Sequence, residues 1–351
     1  MNAQEDVRNR SGLLLVNLGT PDSTAVPDVR KYLREFLSDP RVLDLPAPLR
    51  SAILHLTILP FRPRQAAEAY EKVWTERGSP LLFHGLDLVQ KVKPHLPNVP
   101  VELAMRYQSP SIASALENLH HHGVDRVVVF PLFPQYSSAA WGSAVEKVFV
   151  EATKLWNVPA IQVIPPFYDH PQFLDACAAT ARPVLENLKP DRVLMSFHGL
   201  PERHCSKSDA SGGKHCFQSD SCCDTIVEAN RSCYRAQCFQ TAKGIAARLG
   251  LDETRYQITF QSRLGRDPWI RPYTDEVVIQ LAKSGIKKVA ILSPAFVADC
   301  LETLEELAIR AREDFKAHGG DELQLVPSLN SEDAWVDAVL AILRENSVLA
   351  R

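Results

Sequence analysis

The stretch SFHGLPERHCSKSDASGGKHCFQSDSCCD (196–224) ends an apolar run in His198 and then brings four cysteines within nineteen residues. His198 stands where VLMSF stops, so a strand would deliver its imidazole to whatever lies beyond that strand's carboxyl end. Most histidines in such places are structural, but Gly199 and Pro201 force a sharp turn that leaves the ring accessible. A second reactive run is SPAFVADCLETLEELAIRARED (293–314). From about Asp299 it reads as a helix, with Leu301, Leu304 and Ala308 in an apolar stripe and Asp299, Glu302 and Glu306 in a parallel acidic one. Acids in a first helical turn are ordinary partners of the helix dipole. The other reading is a row of carboxylates facing His198. One imidazole and several carboxylates suit a borderline divalent metal such as Fe(II), or the relay of protons.

Rival chemistries lack their motifs. The chain has no G-x-S-x-G elbow for a serine hydrolase, and neither G-x-G-x-x-G nor G-x-x-x-x-G-K-[ST] for nucleotide phosphates. The first half offers aromatic and basic groups instead. AMRYQSP (104–110) places Arg106 and Tyr107 after a strand, and FPQYSSAAWGS (133–143) adds Tyr136, Ser137, Ser138 and Trp141. Arg62 and Arg64 flank LPAPLRSAILHLTILPFRPR (45–64), while SRLGRDPW contributes Arg263, Arg266 and Trp269. Single aromatics are usually core. Together these groups would make apolar walls with basic corners, suited to a large flat ligand bearing carboxylates. The 45–64 segment holds Arg50, His55 and four prolines. It reads as an amphipathic lip rather than a span, with an ordinary buried helix as the equal alternative.

The elements that must position these residues recur. LLLVNLGTP (13–21) and VLMSFHGLP (193–201) are apolar strands running into Gly-x-Pro, and GVDRVVVFPLFPQ (123–135) matches GIKKVAILSPAFV (285–297). Continuous apolar runs alternating with helical patterns favour parallel α/β construction buried on both faces. The repeat predicts two similar Rossmann-like, doubly wound domains flanking a cleft, with ligands beyond the strands' carboxyl ends. The expected division is 1–165, then 166–325, then a helical extension over 326–351, with prolines in VIPPFYDHPQ (163–172) marking the linker.

Composition narrows the classes. A chain of 351 residues, 45% hydrophobic, can bury two cores, and a formal charge of −3 leaves no electrostatic footprint for nucleic acid. The first residues do not read as a signal peptide, and no stretch reaches the ~18 apolar residues of a membrane span. Eight cysteines without such a signal point to a reducing, cytoplasmic setting and away from disulfides. Cys177 and Cys300 stand alone, while the other six crowd into residues 205–238.

LLLVNLGTPDS, PQYS, SFHGLPERH, TFQSRLGRDPW and ADCLETLEE, in this order from about residue 13 to 330, resemble ferrochelatases, which insert ferrous iron into a porphyrin in haem biosynthesis. The resemblance implies two Rossmann-like domains around a porphyrin cleft. It implies that His198 accepts pyrrole protons, binds the metal, or both, and that Glu302 joins it at Fe(II), with Asp299 and Glu306 continuing the acidic line. It also implies a porphyrin pocket drawing on Leu18, Arg62, Arg106, Tyr107, Tyr136, Ser137 and Trp269. The family saddles its macrocycle, a form of transition-state complementarity. TFQSRLGRDPW is similar to the Gram-negative branch that uses protoporphyrin IX. A chelatase for coproporphyrin III, cobalt or nickel, or a haem- or iron-binding protein without turnover, are the alternatives. The 45–64 lip would contact a membrane peripherally, since protoporphyrin is poorly soluble in water.

Against the family pattern, CYRAQCFQTAKGIA makes Cys238 an ordinary position, so residues 205–233 form an enlarged segment with five extra cysteines and little apolar material. Such a segment needs another source of order. Disulfides, a zinc site with His204 or His215, and a [2Fe–2S] cluster, which some ferrochelatases carry, compete. An internally ligated cluster is the preferred expectation, on Cys205, Cys216, Cys233 and one of Cys222 or Cys223. Neighbouring side chains in an extended chain point oppositely, which disfavours using both.

Overall fold

The structure, a computed structural model, describes residues 10–263, 265, 267–347 and 349. Arg266, one of the expected basic corners, lies outside them. The apolar runs build strands whose centres are fully buried, as in β1 (Ser11–Gly19), β3 (Arg126–Pro131), β5 (Arg192–His198) and β7 (Lys288–Leu292). Each Leu, Ile or Val so buried contributes about 1.5–3 kcal/mol. With β2 (Val101–Tyr107), β4 (Ala160–Val163), β6 (Tyr256–Gln261) and β8 (Glu322–Leu325) they form two four-stranded sheets, β2-β1-β3-β4 and β6-β5-β7-β8. Every pairing is parallel, with Leu15 opposite Phe130 in one sheet and Met195 opposite Leu292 in the other. The two sheets share one strand order, so the sequence repeat is a repeat of topology. Several helices carry a proline in their first turn, Pro27, Pro80 or Pro171, whose fixed φ suits that position.

Two compact units divide the chain. One holds the described residues up to Leu132, Ser138–Pro165 and those from Val336 on; the other holds Phe133–Ser137 and Pro166–Trp335. The stretch 326–351, expected as one extension, is shared between them. Trp335 packs on Phe167 and Phe173 in the second unit, with ring centroids 5.8 and 6.1 Å away. Gln162 Nε2 donates to the Asn346 carbonyl at 2.9 Å in the first. Among the described residues no helix is long and apolar enough to cross a membrane.

Among the described residues, three segments wind as π-helix: Leu54–Ile58 in the lip, Ser138–Gly142 after PQYS, and Glu302–Ala311. Such turns are rare and gather at functional positions. The last corrects the stripe expected at 301, 304 and 308. The buried residues are Thr303, Glu305, Leu307 and Ala311.

Candidate active site

His198 closes β5 in the second unit. Its Nδ1 lies 2.6 Å from the Gly199 carbonyl oxygen. A carbonyl only accepts, so Nδ1 carries the proton and Nε2 is left with the lone pair. Trp269 and Phe296 flank the ring at centroid distances of 6.4 and 6.3 Å. Gly199 must be glycine here, because a Cβ would stand 2.8 Å from the Gln261 carbonyl oxygen and 3.1 Å from the Trp269 ring.

The π-helix brings Glu306 to this ring. Burial pushes the Glu306 carboxyl up, opposed by the Ser262 hydroxyl, by the charge of Arg310, by that of His198 when the ring is protonated, and by the Ser262 N–H. Ser262 N–H donates to one carboxylate oxygen at 2.9 Å and its hydroxyl to the other. Ser262 holds φ at +66°, a left-handed conformation that turns both donors toward the acid. Glu302 begins the same helix, its carbonyl accepting from Gln261 Nε2 at 2.8 Å and its carboxylate meeting the buried Cys300 thiol. Asp299 stands apart from this pair. Its carboxylate accepts from Asn330 Nδ2 at 2.9 Å, Thr303 Oγ1 at 3.1 Å and Ser328 N–H at 3.2 Å, so it fastens the start of the helix.

Beneath the site runs a buried polar ladder. Ser196 Oγ donates to Gln261 Oε1 at 2.7 Å, and Thr274 links Ser196 to Thr259 at 2.8 and 2.9 Å. Gln261, Ser262 and Phe296 went unread in the sequence. Only TFQS, which closes β6, could have pointed to the first two.

In the first unit, Arg106 and Tyr107 form a polar knot. Arg106 donates to Asp39 Oδ2 and to Ser143 Oγ, both at 2.6 Å, and Tyr107 OH donates to Asp39 Oδ2 at 2.9 Å. Tyr107 is fully buried, so the structure uses it as a brace within the unit. Leu18 is half-buried near the end of β1, and Arg62 is exposed at the start of the helix Arg62–Val73. In the second unit, Tyr136 N–H donates to Gln237 Oε1 at 2.6 Å, beside buried Ser137.

A strand-end imidazole with a free Nε2, a carboxylate beside it and a second carboxylate on the same helix can take up protons and hold a divalent cation. A family profile described as Ferrochelatase matches residues 10–347. The chain belongs to the ferrochelatase family. It is 48% identical over 333 residues to the ferrochelatase of Azotobacter vinelandii (strain DJ / ATCC BAA-1303), covering 95% of this chain and 98% of that one. Identity is also 48% over 341 residues to the ferrochelatase of Pseudomonas fluorescens (strain Pf0-1), covering 96% and 98%. With the Coxiella burnetii (strain Dugway 5J108-111) ferrochelatase it is 44% over 339 residues, covering 96% and 94%. Among solved structures, the sirohydrochlorin chelatase SirB from Bacillus subtilis subspecies spizizenii, in complex with cobalt, matches at TM-score 0.54 and 12% identity. That pair covers 96% of this chain and 95% of the other, a likeness of fold. A ferrochelatase is a metal chelatase, a lyase that inserts ferrous iron into protoporphyrin in haem biosynthesis, and this chain is such an enzyme.

Residues 205–233 of this ferrochelatase are ordered chiefly by polar groups. Asp209 accepts from the N–H groups of Ser211, His215 and Cys216 at 2.8, 3.0 and 2.9 Å, and from the Ser211 hydroxyl at 2.6 Å. Those donors hold its carboxyl far below the usual range. Asn230, fully buried, donates to the carbonyls of Cys222 and Thr225 at 2.8 and 2.9 Å. All eight cysteines are free thiols and buried. Five of them gather here: Cys222 Sγ lies 3.7 Å from Cys223 Sγ, and Cys205, Cys223 and Cys216 lie near enough to Cys233 to influence its charge. Donation from Cys205 and Cys223, with the Ala236 N–H and Cys216, draws Cys233 down against burial, while its neighbours Cys205, Cys216 and Cys223 are pushed up. Among the described residues no three His, Cys, Asp or Glu side chains are arranged as a ready metal-ion site.

Proposed function

We propose that His198, Glu302 and Glu306 carry the insertion of Fe(II) into protoporphyrin IX. Insertion replaces two pyrrole N–H protons by the metal, so the site must accept protons while holding a cation. His198 Nε2 accepts a pyrrole proton, and Glu306 beside it steadies the imidazolium that results. Glu302 and, before its lone pair takes a proton, His198 Nε2 bind the incoming Fe(II), an N/O donor set suited to it. The second pyrrole proton follows the first once the imidazolium has passed that proton to solvent. Asp299 positions the helix that carries both glutamates. Leu18, Arg62, Tyr136, Ser137 and Trp269 contact the macrocycle, and Arg106 and Tyr107 hold the first unit's strand end in shape for it. The Nδ1–H bond to the Gly199 carbonyl carries this reading, because it frees Nε2 for the proton.

The cysteine segment fits a [2Fe–2S] cluster on Cys205, Cys216, Cys223 and Cys233. Cys205, Cys216 and Cys223 lie near Cys233, and a cluster would supply thiolate–metal bonds that tie three stretches of chain together. Zinc on the same thiols is the second reading, with His204 or His215 as a further ligand. His215 instead places Nε2 3.0 Å from the Cys222 carbonyl, which favours an all-cysteine set. The enzyme works in the cytoplasm, where its lip meets a membrane peripherally. Leu49, Leu56 and Phe61 there are 49, 73 and 75% exposed, with Arg50, Arg62 and Arg64 around them.

The test is an anaerobic insertion assay with Fe(II) and Co(II) against protoporphyrin IX and coproporphyrin III. Preferred turnover of Fe(II) with protoporphyrin IX is expected. Preference for coproporphyrin III would move the enzyme to the other branch, and porphyrin binding without turnover would make it a carrier.

A further inference from the structure

We propose that Arg235 is the cation that offsets the negative charge of the cysteine site and so sets the reduction potential of the centre held there. The proposal rests on the cluster reading. The helix Tyr234–Leu249 begins at the thiols, with Cys233 as its N-cap residue. The Arg235 side chain turns back onto the same site. Nη1 lies 3.2 Å from Cys223 Sγ and 3.7 Å from Cys222 Sγ.

Two aromatic rings fix this pose, since the guanidinium carbon lies 4.8 Å from the Phe239 ring centroid and 5.8 Å from that of Phe217. Arginine keeps its charge under all physiological conditions. A neutral thiol is a poor acceptor for so strong a donor, whereas a metal-bound thiolate is a good one. Arg235 therefore matches the metallated form of the site. It does so whichever of Cys222 and Cys223 is the ligand, because Nη1 reaches both. One-electron reduction adds a negative charge to a [2Fe–2S] centre, and a fixed cation and N–H···S bonds stabilise the reduced form. Removing the cation must lower the potential.

The experiment takes the full-length enzyme, purified anaerobically, and measures iron and acid-labile sulfide. It then titrates the visible absorbance and the electron paramagnetic resonance signal with dithionite. Arg235→Gln should keep its iron and sulfide but titrate at a lower midpoint potential, and Arg235→Lys should return most of the way to wild type. A fully loaded Arg235→Gln protein with the wild-type midpoint overturns the proposal. If Arg235→Gln empties, Arg235→Lys decides. A loaded lysine variant near the wild-type midpoint supports the charge role, and an empty one refutes it. Wild-type protein without sulfide refutes the cluster reading itself, a failure seen before any variant is made.

Discussion

The hydrogen bond from His198 Nδ1 to the next residue's carbonyl decides which ring nitrogen can react, and the chemistry of the site follows from it. In the proposed mechanism Glu306 is the partner whose charge answers the imidazolium, and Glu302 is the carboxylate left for the metal. Glu302→Gln should cut Fe(II) insertion about 100-fold, the scale of a lost reacting group. Glu306→Gln should cut it about tenfold, or about 1.4 kcal/mol of barrier. Steady-state rates and Fe(II) affinity check both, and two variants with normal values would reduce the pair to a solvated helix face. That His198 ends a strand and that Glu302 and Glu306 share one helix was legible, because strand ends and acidic spacing show in sequence. Ser262 was not, because its role comes from a positive φ that no spacing pattern records. Asp299 shared the acidic spacing, but its three donors lie in the chain around Thr303 and Ser328–Asn330, where no periodicity reaches.

At the scale of elements, the strands were readable because each is a continuous apolar run, and the paired runs gave the repeated sheet order. The winding of Glu302–Ala311 was hidden, since a π turn shifts the buried face without changing composition. Order in the cysteine segment was hidden too, because polar residues that look solvated on paper, Asp209 and Asn230, tie it together. Asp209→Ala strips four hydrogen bonds from that loop. It should leave the sheets folded by circular dichroism while residues 209–224 gain amide exchange, and unchanged exchange would contradict the assignment.

Asp39 makes a similar claim for the first unit. Burial alone would push its carboxyl up, but hydrogen bonds from Ser143, the Arg41 N–H and Tyr107, with the Arg106 charge, outweigh it and pull it down. A depressed folded value stabilises the protein at pH above the ordinary carboxylate value of ~4 and is lost as pH falls through the folded value. Asp39→Asn should therefore cost about 3 kcal/mol in urea unfolding at pH 7. The gap to wild type should close as pH falls from the ordinary carboxylate value of ~4 through the lower folded value. A gap independent of pH would remove the carboxylate from the account.

For the whole molecule, family membership and the site's geometry agree, and the lip adds a claim about where the enzyme works. Leu54 and Leu59 anchor that lip in a small core with Leu37, leaving Leu56 and Phe61 outside. Vesicles containing anionic lipid should sediment the enzyme, and Leu56→Asp with Phe61→Asp should weaken this severalfold without changing the melting temperature. Equal sedimentation of wild type and variant would rule out the lip as the contact. The central claim is that His198 takes the pyrrole protons as Fe(II) enters the ring. Its most direct test is haem formation from Fe(II) and protoporphyrin IX under anaerobic conditions by wild-type and His198→Ala enzymes of matched melting temperature. The account predicts turnover by the first and a loss of at least ~100-fold in the second, whereas near-normal haem formation by a folded His198→Ala enzyme would contradict it.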